Sequence, residues 1–169
     1  MPYFSFIMVC YNNWHLSQQA ITSLIKSLGA SYKSKGIELI IVDNGSTDET
    51  SVAIEELIKM YTPGPIEIIN IRLNENMGYT IGLNVGLAES RGNTITVMNN
   101  DLIFPEGWFD GIAKILQNDY SVGVAVPFLS YATGSQNVGI RFDSIQEIEN
   151  FARKFEEIQK FILANKQSK

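Results

Sequence analysis

Short runs of apolar, mostly branched residues recur along the chain: FSFIMVC at 4–10, IELIIV at 37–42, IEIINI at 66–71 and ITVM at 95–98. Runs this short with little polar alternation read as strands buried on both faces. Between them the apolar period changes to three and four. Leu16, Ala20, Leu24 and Leu28, widened by Ile21 and Ile25, form one stripe, and Ile54, Leu57, Ile58 and Tyr61 another. Trp108, Ile112, Ile115 and Leu116 form a third. Strand and helix alternating at such short spacing predict an α/β fold: a mostly parallel, Rossmann-like sheet flanked by helices. VGVAV at 122–126 reads as a fifth strand.

Punctuation residues support this order. Gly29 ends the first helix, and Ser46 with Glu49 fits a capping box for the second. Thr62-Pro63-Gly64-Pro65 stops that helix, and Pro105 opens the helix carrying Trp108. Residues 1–127 therefore read as one domain. Residues 128–169 read as a loop and a terminal amphipathic helix, part of that domain or a docking element. Ser144 and Glu147 fit a second capping box; Ile148, Phe151, Phe155, Ile158 and Ile162 follow at 3-4-3-4 spacing, with Phe161 beside them. So broad an apolar face needs cover from this domain, a partner chain, a second copy or a further domain.

Composition narrows the function. At 169 residues and 45% hydrophobic, the chain can bury one sizeable core. A net charge of -5 without any basic run excludes a nucleic-acid groove. A phosphate-bearing ligand would need a local positive element: a helix N-terminus, a few Arg or Lys, or a metal. With one cysteine, Cys10, and one histidine, His15, neither an internal disulfide nor a zinc cluster can form. The G-x-S-x-G, P-loop and G-x-G-x-x-G signatures are absent. Met1 to Val9 lacks a basic n-region and reads as a strand rather than a leader. No apolar run reaches the ~20 residues of a membrane span.

In parallel sheets ligands sit at the carboxyl ends of the strands, and four polar clusters fall there. Tyr11-Asn12-Asn13 suits a turn; functionally, it would be one wall of a nucleotide pocket. In Asp43-Asn44-Gly45-Ser46-Thr47-Asp48, Ser46 and Asp48 suit a turn and a cap. Asp43 lies before the cap, where a carboxylate can accept from a base N–H or a ribose hydroxyl. Gly78, Gly82 and Gly86 recur every four residues, giving a helix a smooth strip that a backbone or ligand can approach. Gly86 suits helix–sheet packing, and Asn84 reads either way. Asn99-Asn100-Asp101 holds one acid upstream of Pro105. That acid is either a turn residue or a ligand for Mg²⁺ or Mn²⁺, which fills its shell with phosphate oxygens and water.

Taken as a set, MVCYNN, IELIIVDNGSTDET and NENMGYTIGLNVGLAESRGNTITVMNNDLIFPEGW resemble, in order and spacing, the family 2 glycosyltransferases of the GT-A fold, over about residues 4 to 127. The Asn-Asn-Asp form is similar to the rhamnosyltransferase-like branch of cell-surface polysaccharide synthesis. The resemblance implies a nucleotide-sugar site built from Cys10, Tyr11, Asn12, Asp43, Asn44, Gly78, Asn84, Asn99, Asn100 and Asp101. In that site Asp43 contacts the nucleoside and Asn100 the ribose or diphosphate. Asn99-Asn100-Asp101 stands where the family has D-x-D, so Asp101 becomes the ligand of a divalent cation. The resemblance further implies transfer with inversion to a glycan or lipid-linked acceptor, in the cytoplasm or at the inner membrane face. Related chains continue further and carry the acceptor site and catalytic base there; Glu156 and Glu157 do not match that acidic motif. Two alternatives are a sugar-nucleotidyltransferase, whose Gly-rich basic loop is missing after Val9, and a non-catalytic nucleotide-sugar-binding or assembly module.

Overall fold

The computed structural model describes residues 3–29 and 36–166, with the side chains at 135, 156 and 158–166 excepted. Ile158, Phe161, Ile162 and Glu156, read above as part of the terminal helix, have side chains outside that set. The element order is β1 (Phe4–Cys10), α1 (Trp14–Ser27), β2 (Ile37–Asp43), α2 (Thr50–Tyr61), β3 (Ile66–Arg72), α3 (Tyr79–Glu89), β4 (Thr94–Met98), α4 (Trp108–Asn118), a 3-10 turn (Gly134–Gln136) and α5 (Ile145–Lys166). The chain divides into two units, residues 1–25 with 29–103, and residues 26–28 with 104–169. Among the described residues no helix is long and apolar enough to cross a membrane.

The first unit holds a four-stranded sheet in the order β3-β2-β1-β4, every neighbouring pair parallel. The two central strands, β1 and β2, are buried along their whole length, as their predominantly apolar sequences require. Ile7, Val9, Ile40 and Val42 form one face of the core, with Ile69, Ile71, Leu73 and Leu83 against them. Phe4, Phe6, Met8, Leu39 and Ile41 alternate with these and line the other face. Each large side chain so buried stabilises by about 1.5–3 kcal/mol relative to exposure.

Helix α3 lies close to the first face because it has glycine where it touches the sheet. A Cβ on Gly82 would stand 2.9 Å from Val9 Cγ1, and one on Gly86 2.5 Å from Ile7 Cγ2. The glycine strip is therefore helix–sheet packing. Gly78 is not part of it: it precedes the helix at φ 84°, as its N-cap.

The amino ends of the strands close over a buried acid. Glu38 is fully buried inside the apolar run of β2. Ser5 Oγ donates to its Oε1 at 2.5 Å, the Arg91 backbone N–H at 2.6 Å, and Arg91 Nε to its Oε2 at 2.8 Å. Arg91 Nη2 also reaches Glu67 at 2.7 Å. Burial pushes the Glu38 carboxyl up, but the Ser5 and Arg91 hydrogen bonds and the Arg91 charge outweigh it and leave the carboxyl below its ordinary value.

In the second unit, Phe109 and Ala113 of α4 are buried, and Trp108 Nε1 donates to Ser27 Oγ at 2.9 Å. Helix α5 opens on the expected capping box: Glu147 N donates to Ser144 Oγ at 3.2 Å, while Glu147 Oε2 accepts from Asp143 N at 2.9 Å. Its aromatic face is met by its own chain. Phe151 lies 5.3 Å, centroid to centroid, from Phe142, and Phe155 lies 5.7 Å from Phe128.

Three sequence expectations fail locally. VGVAV at 122–126 is not a strand; Val124 and Val126 are 81% and 57% exposed. A strand needs a neighbour to pair with, and apolar residues alone do not supply one. Ser46 and Glu49 do not form a capping box: Glu49 makes no side-chain cap bond, and Asp48 Oδ1 accepts from Thr50 N instead. Helix α4 begins at Trp108 behind Gly107 at φ 78°, not at Pro105.

Two measurements check this packing. Glu38 titrates below its ordinary 4.5 when folded, so the stability it contributes is complete above that pH and disappears as pH falls through the folded value. Urea midpoints should therefore drop on acidification below about pH 4.5, and Glu38→Gln should be less stable than the parent at neutral pH, the gap narrowing in acid. Gly86→Val should lower stability by about 1–3 kcal/mol through overpacking, whereas Gly111→Ala in α4, with nothing within 4 Å of the added Cβ, should raise it by up to about 1 kcal/mol. Both are read from denaturant midpoints.

Candidate functional site at the carboxyl edge of the sheet

Parallel pairing brings the strand tips into one row, Cys10 beside Asp43 beside Arg72, with Met98 two residues back on β4 opposite Met8. The loops that leave these tips carry all the clusters picked out in the sequence, and all lie in the first unit.

Asp43 is 0% exposed. Its Oδ1 accepts from the Ser46 N–H at 2.9 Å and its Oδ2 from the Ser51 hydroxyl. The Arg72 Nε stands 3.9 Å from the same Oδ2, and Arg72 Nη2 donates to the Ser46 carbonyl at 3.4 Å. The carboxylate that the sequence assigned to the nucleoside thus has both oxygens engaged by protein groups. Those bonds tie it to the turn and helix that follow β2.

Three amides link the tips. Asn12 sits in left-handed backbone at φ 54°, a conformation asparagine tolerates. Its N–H donates to Ser46 Oγ at 2.9 Å, and its Oδ1 accepts from the Thr47 N–H at 2.8 Å. That joins the tip of β1 to the turn after β2. Asn44 joins the tip of β2 to the loop before α3: its Nδ2 donates to Asn76 Oδ1 at 3.0 Å, and its Oδ1 accepts from the Met77 N–H at 3.0 Å. Asn100 joins the tip of β4 to α1 by donating to Ser17 Oγ at 2.9 Å. Between the first two links, Gly45 at φ 77° lies so close to the next loop that a Cβ would fall 2.6 Å from Glu75 Cα and 2.8 Å from Asn76 N.

Cys10 is buried behind this edge. Burial pushes its thiol up to about 11, with the Ser17 hydroxyl pulling back and the Asp43 charge adding to the rise. Such a thiol is neutral at ordinary pH.

The groups that face outward are fewer. Tyr11 is 43% exposed, and Asn99 and Asp101 are exposed at the end of β4. Gly78 is exposed in the loop before α3 and donates its N–H to Asn76 Oδ1 at 2.9 Å. Asn84 is exposed on α3, on the opposite side of the helix from Gly82 and Gly86, and is not drawn into the tip cluster. Arg72, Asn76 and Ser17 also belong to the arrangement; the sequence marks Arg72 to Asn76 as the segment after the third strand without giving either residue a role, and does not mark Ser17. Arg72 had a signal: it ends β3 in register with Asp43. The partners of Asn76 and Ser17 show only in the structure.

Among the described residues no three His, Cys, Asp or Glu side chains come together as a ready metal cage. A hard cation that keeps its water and borrows phosphate oxygens needs only one or two protein carboxylates. The exposed Asp101 carboxylate beside the Asn99 amide fits that open kind of site and no closed one.

Comparison with known proteins agrees with this architecture. The solved mannosyltransferase PcManGT of Pyrobaculum calidifontis, in complex with GDP-Man and Mn²⁺, superposes with a TM-score of 0.63 at 21% identity, over 72% of this chain and 34% of that one. The fold is therefore GT-A-like. An uncharacterized glycosyltransferase of Haemophilus influenzae is 31% identical over 120 residues, 70% of this chain and 34% of that protein. The minor teichoic acid biosynthesis protein GgaB of Bacillus subtilis is 28% identical over 152 residues, 86% of this chain and 16% of GgaB. The chain thus spans about a third or less of these curated relatives. The model for glycosyl transferase family 2 matches residues 5–166, and the chain belongs to that family.

Proposed function

We propose that this chain is the donor-binding part of an inverting glycosyltransferase that moves a hexosyl or rhamnosyl unit from a nucleotide-diphosphate sugar to a glycan or lipid-linked acceptor. The observation that carries the reading is the outward set Tyr11, Asn99 and Asp101 at the carboxyl edge of a parallel sheet, in a chain of this family. The relatives support the substrate class: one neighbour is solved with GDP-Man and Mn²⁺, and one relative serves teichoic acid biosynthesis. A cytoplasmic location, peripheral to the inner membrane face, follows from such an acceptor.

In this reading Tyr11 offers its ring and hydroxyl to the nucleoside, and Asn99 donates its amide to the ribose or diphosphate. Asp101 holds a divalent cation, Mg²⁺ or Mn²⁺, together with diphosphate oxygens. When bound, that ion supplies Lewis-acid stabilisation of the leaving diphosphate. Cys10, Asn12, Asp43, Asn44 and Asn100 form the frame behind the ligand, and Gly78 leaves room for it beside α3. In this reading the acceptor hydroxyl is deprotonated by a carboxylate other than these residues.

Asp101→Ala tests the reading. In titrations with UDP, GDP and dTDP, the parent should bind at least one nucleotide more tightly with Mn²⁺ than with chelator, and the variant should lose that gain, a factor of about 10 or more. Asp101 is exposed, so stability should stay within about 0.5 kcal/mol. Unchanged affinity and metal dependence would reduce Asp101 to a turn residue, and a folded parent that binds no nucleotide would end the proposal.

A further inference from the structure

Asn44 occupies the strand tip of a nucleotide site in the reading above, yet its carboxamide is committed to protein partners. It is 2% exposed, and both ends of its carboxamide are taken by the loop before α3. Nδ2 gives a hydrogen to Asn76 Oδ1, and Oδ1 takes one from the Met77 N–H. Asn76 Oδ1 accepts a second hydrogen, from the Gly78 N–H at 2.9 Å. Gly78 then turns the chain, at φ 84°, into the first turn of α3 and brings no side-chain cap of its own. A Cβ built on Gly82 would stand 3.8 Å from Asn44 Cγ, an ordinary contact distance, so α3 lies against the amide.

We propose that Asn44 is a positioning residue: it reads no base, but fixes residues 76–78 and the start of α3 against the tip of β2 before a ligand arrives. This rests on the reading of the edge as a nucleotide site.

The chemistry demands an amide. Position 44 must donate to Asn76 and accept from Met77 at once, and a carboxylate only accepts. Turning the Asn76 amide over to suit an aspartate at 44 would not repair the link. Its NH₂ would then face the Gly78 N–H, donor against donor. The link therefore breaks in Asn44→Asp although the side chain keeps its size. It also breaks in Asn76→Ala, a change at an exposed position that removes the shared acceptor.

The test combines amide hydrogen exchange of the free protein with titration of UDP, GDP and dTDP in the presence of Mn²⁺. Asn44→Asp and Asn76→Ala should each speed exchange of the Met77 and Gly78 amides at least tenfold. Each should weaken every nucleotide that binds by a common factor, with their ranking kept, and the double variant should be no worse than the poorer single one. A changed ranking in Asn44→Asp alone means that the residue touches the base, and overturns the proposal. So does unchanged exchange in both variants. If Asn44→Asp fails to fold, Asn76→Ala alone decides by the same readings. If the parent binds no nucleotide, the nucleotide reading falls, while the exchange rates still report whether Asn44 holds the loop.

Discussion

Everything at the candidate site depends on the parallel pairing of β1 with β2 on one side and β4 on the other. Parallel strands send all their carboxyl ends to one edge, so the loops that leave them must crowd together there. Crowding raises a polar problem, because loop N–H and carbonyl groups close to a core need partners. This chain answers it largely with side-chain amides. Asn12, Asn44 and Asn100 each span from one strand tip to a neighbouring element, and an amide suits the task because it donates and accepts together.

The same requirement explains the two buried acids. Asp43 at the carboxyl edge and Glu38 at the amino edge are both fully buried in β2. A buried carboxylate is costly unless its oxygens are bonded, and each acid has its own set of donors: Ser46, Ser51 and Arg72 for one, Ser5 and Arg91 for the other. The Glu38 donors lie 33 and 53 residues away, whereas Asp43 takes Ser46 and Ser51 from the turn and helix that follow it, with Arg72 from the end of β3. They hold the two ends of the sheet, and between them the apolar residues of β1 and β2 supply the core. This leaves the outward side of the edge to exposed groups, Tyr11, Asn99 and Asp101 among them.

Much of the fold was legible because period is a local property. FSFIMVC and IELIIV are too short and too uniformly apolar for surface helices, and Leu16 to Leu28 is too regular for anything else. The rule that ligands sit at carboxyl ends then located the edge and its four clusters. Roles within the clusters were less legible. Asp43 looked ligand-facing because it precedes the turn, and Asn44 entered with the family resemblance. Which side chain turns inward depends on what stands opposite, and Ser51 and Asn76 come from other loops and helices. The valine segment 122–126 misled for a related reason: strand composition is local, but a strand exists only beside another.

By itself, then, the sequence determined the alternation of strand and helix, the edge where polar residues gather, and the family likeness, since each rests on residue types and spacings along the chain. Only the tertiary structure decided which of those polar residues are bonded within the protein and which are exposed. Hydrogen-bond partners such as Asn76 for Asn44, Ser17 for Asn100 and Arg91 for Glu38 lie 32, 83 and 53 residues away. No local pattern encodes such a pairing; it exists once parallel register has set the strand tips side by side.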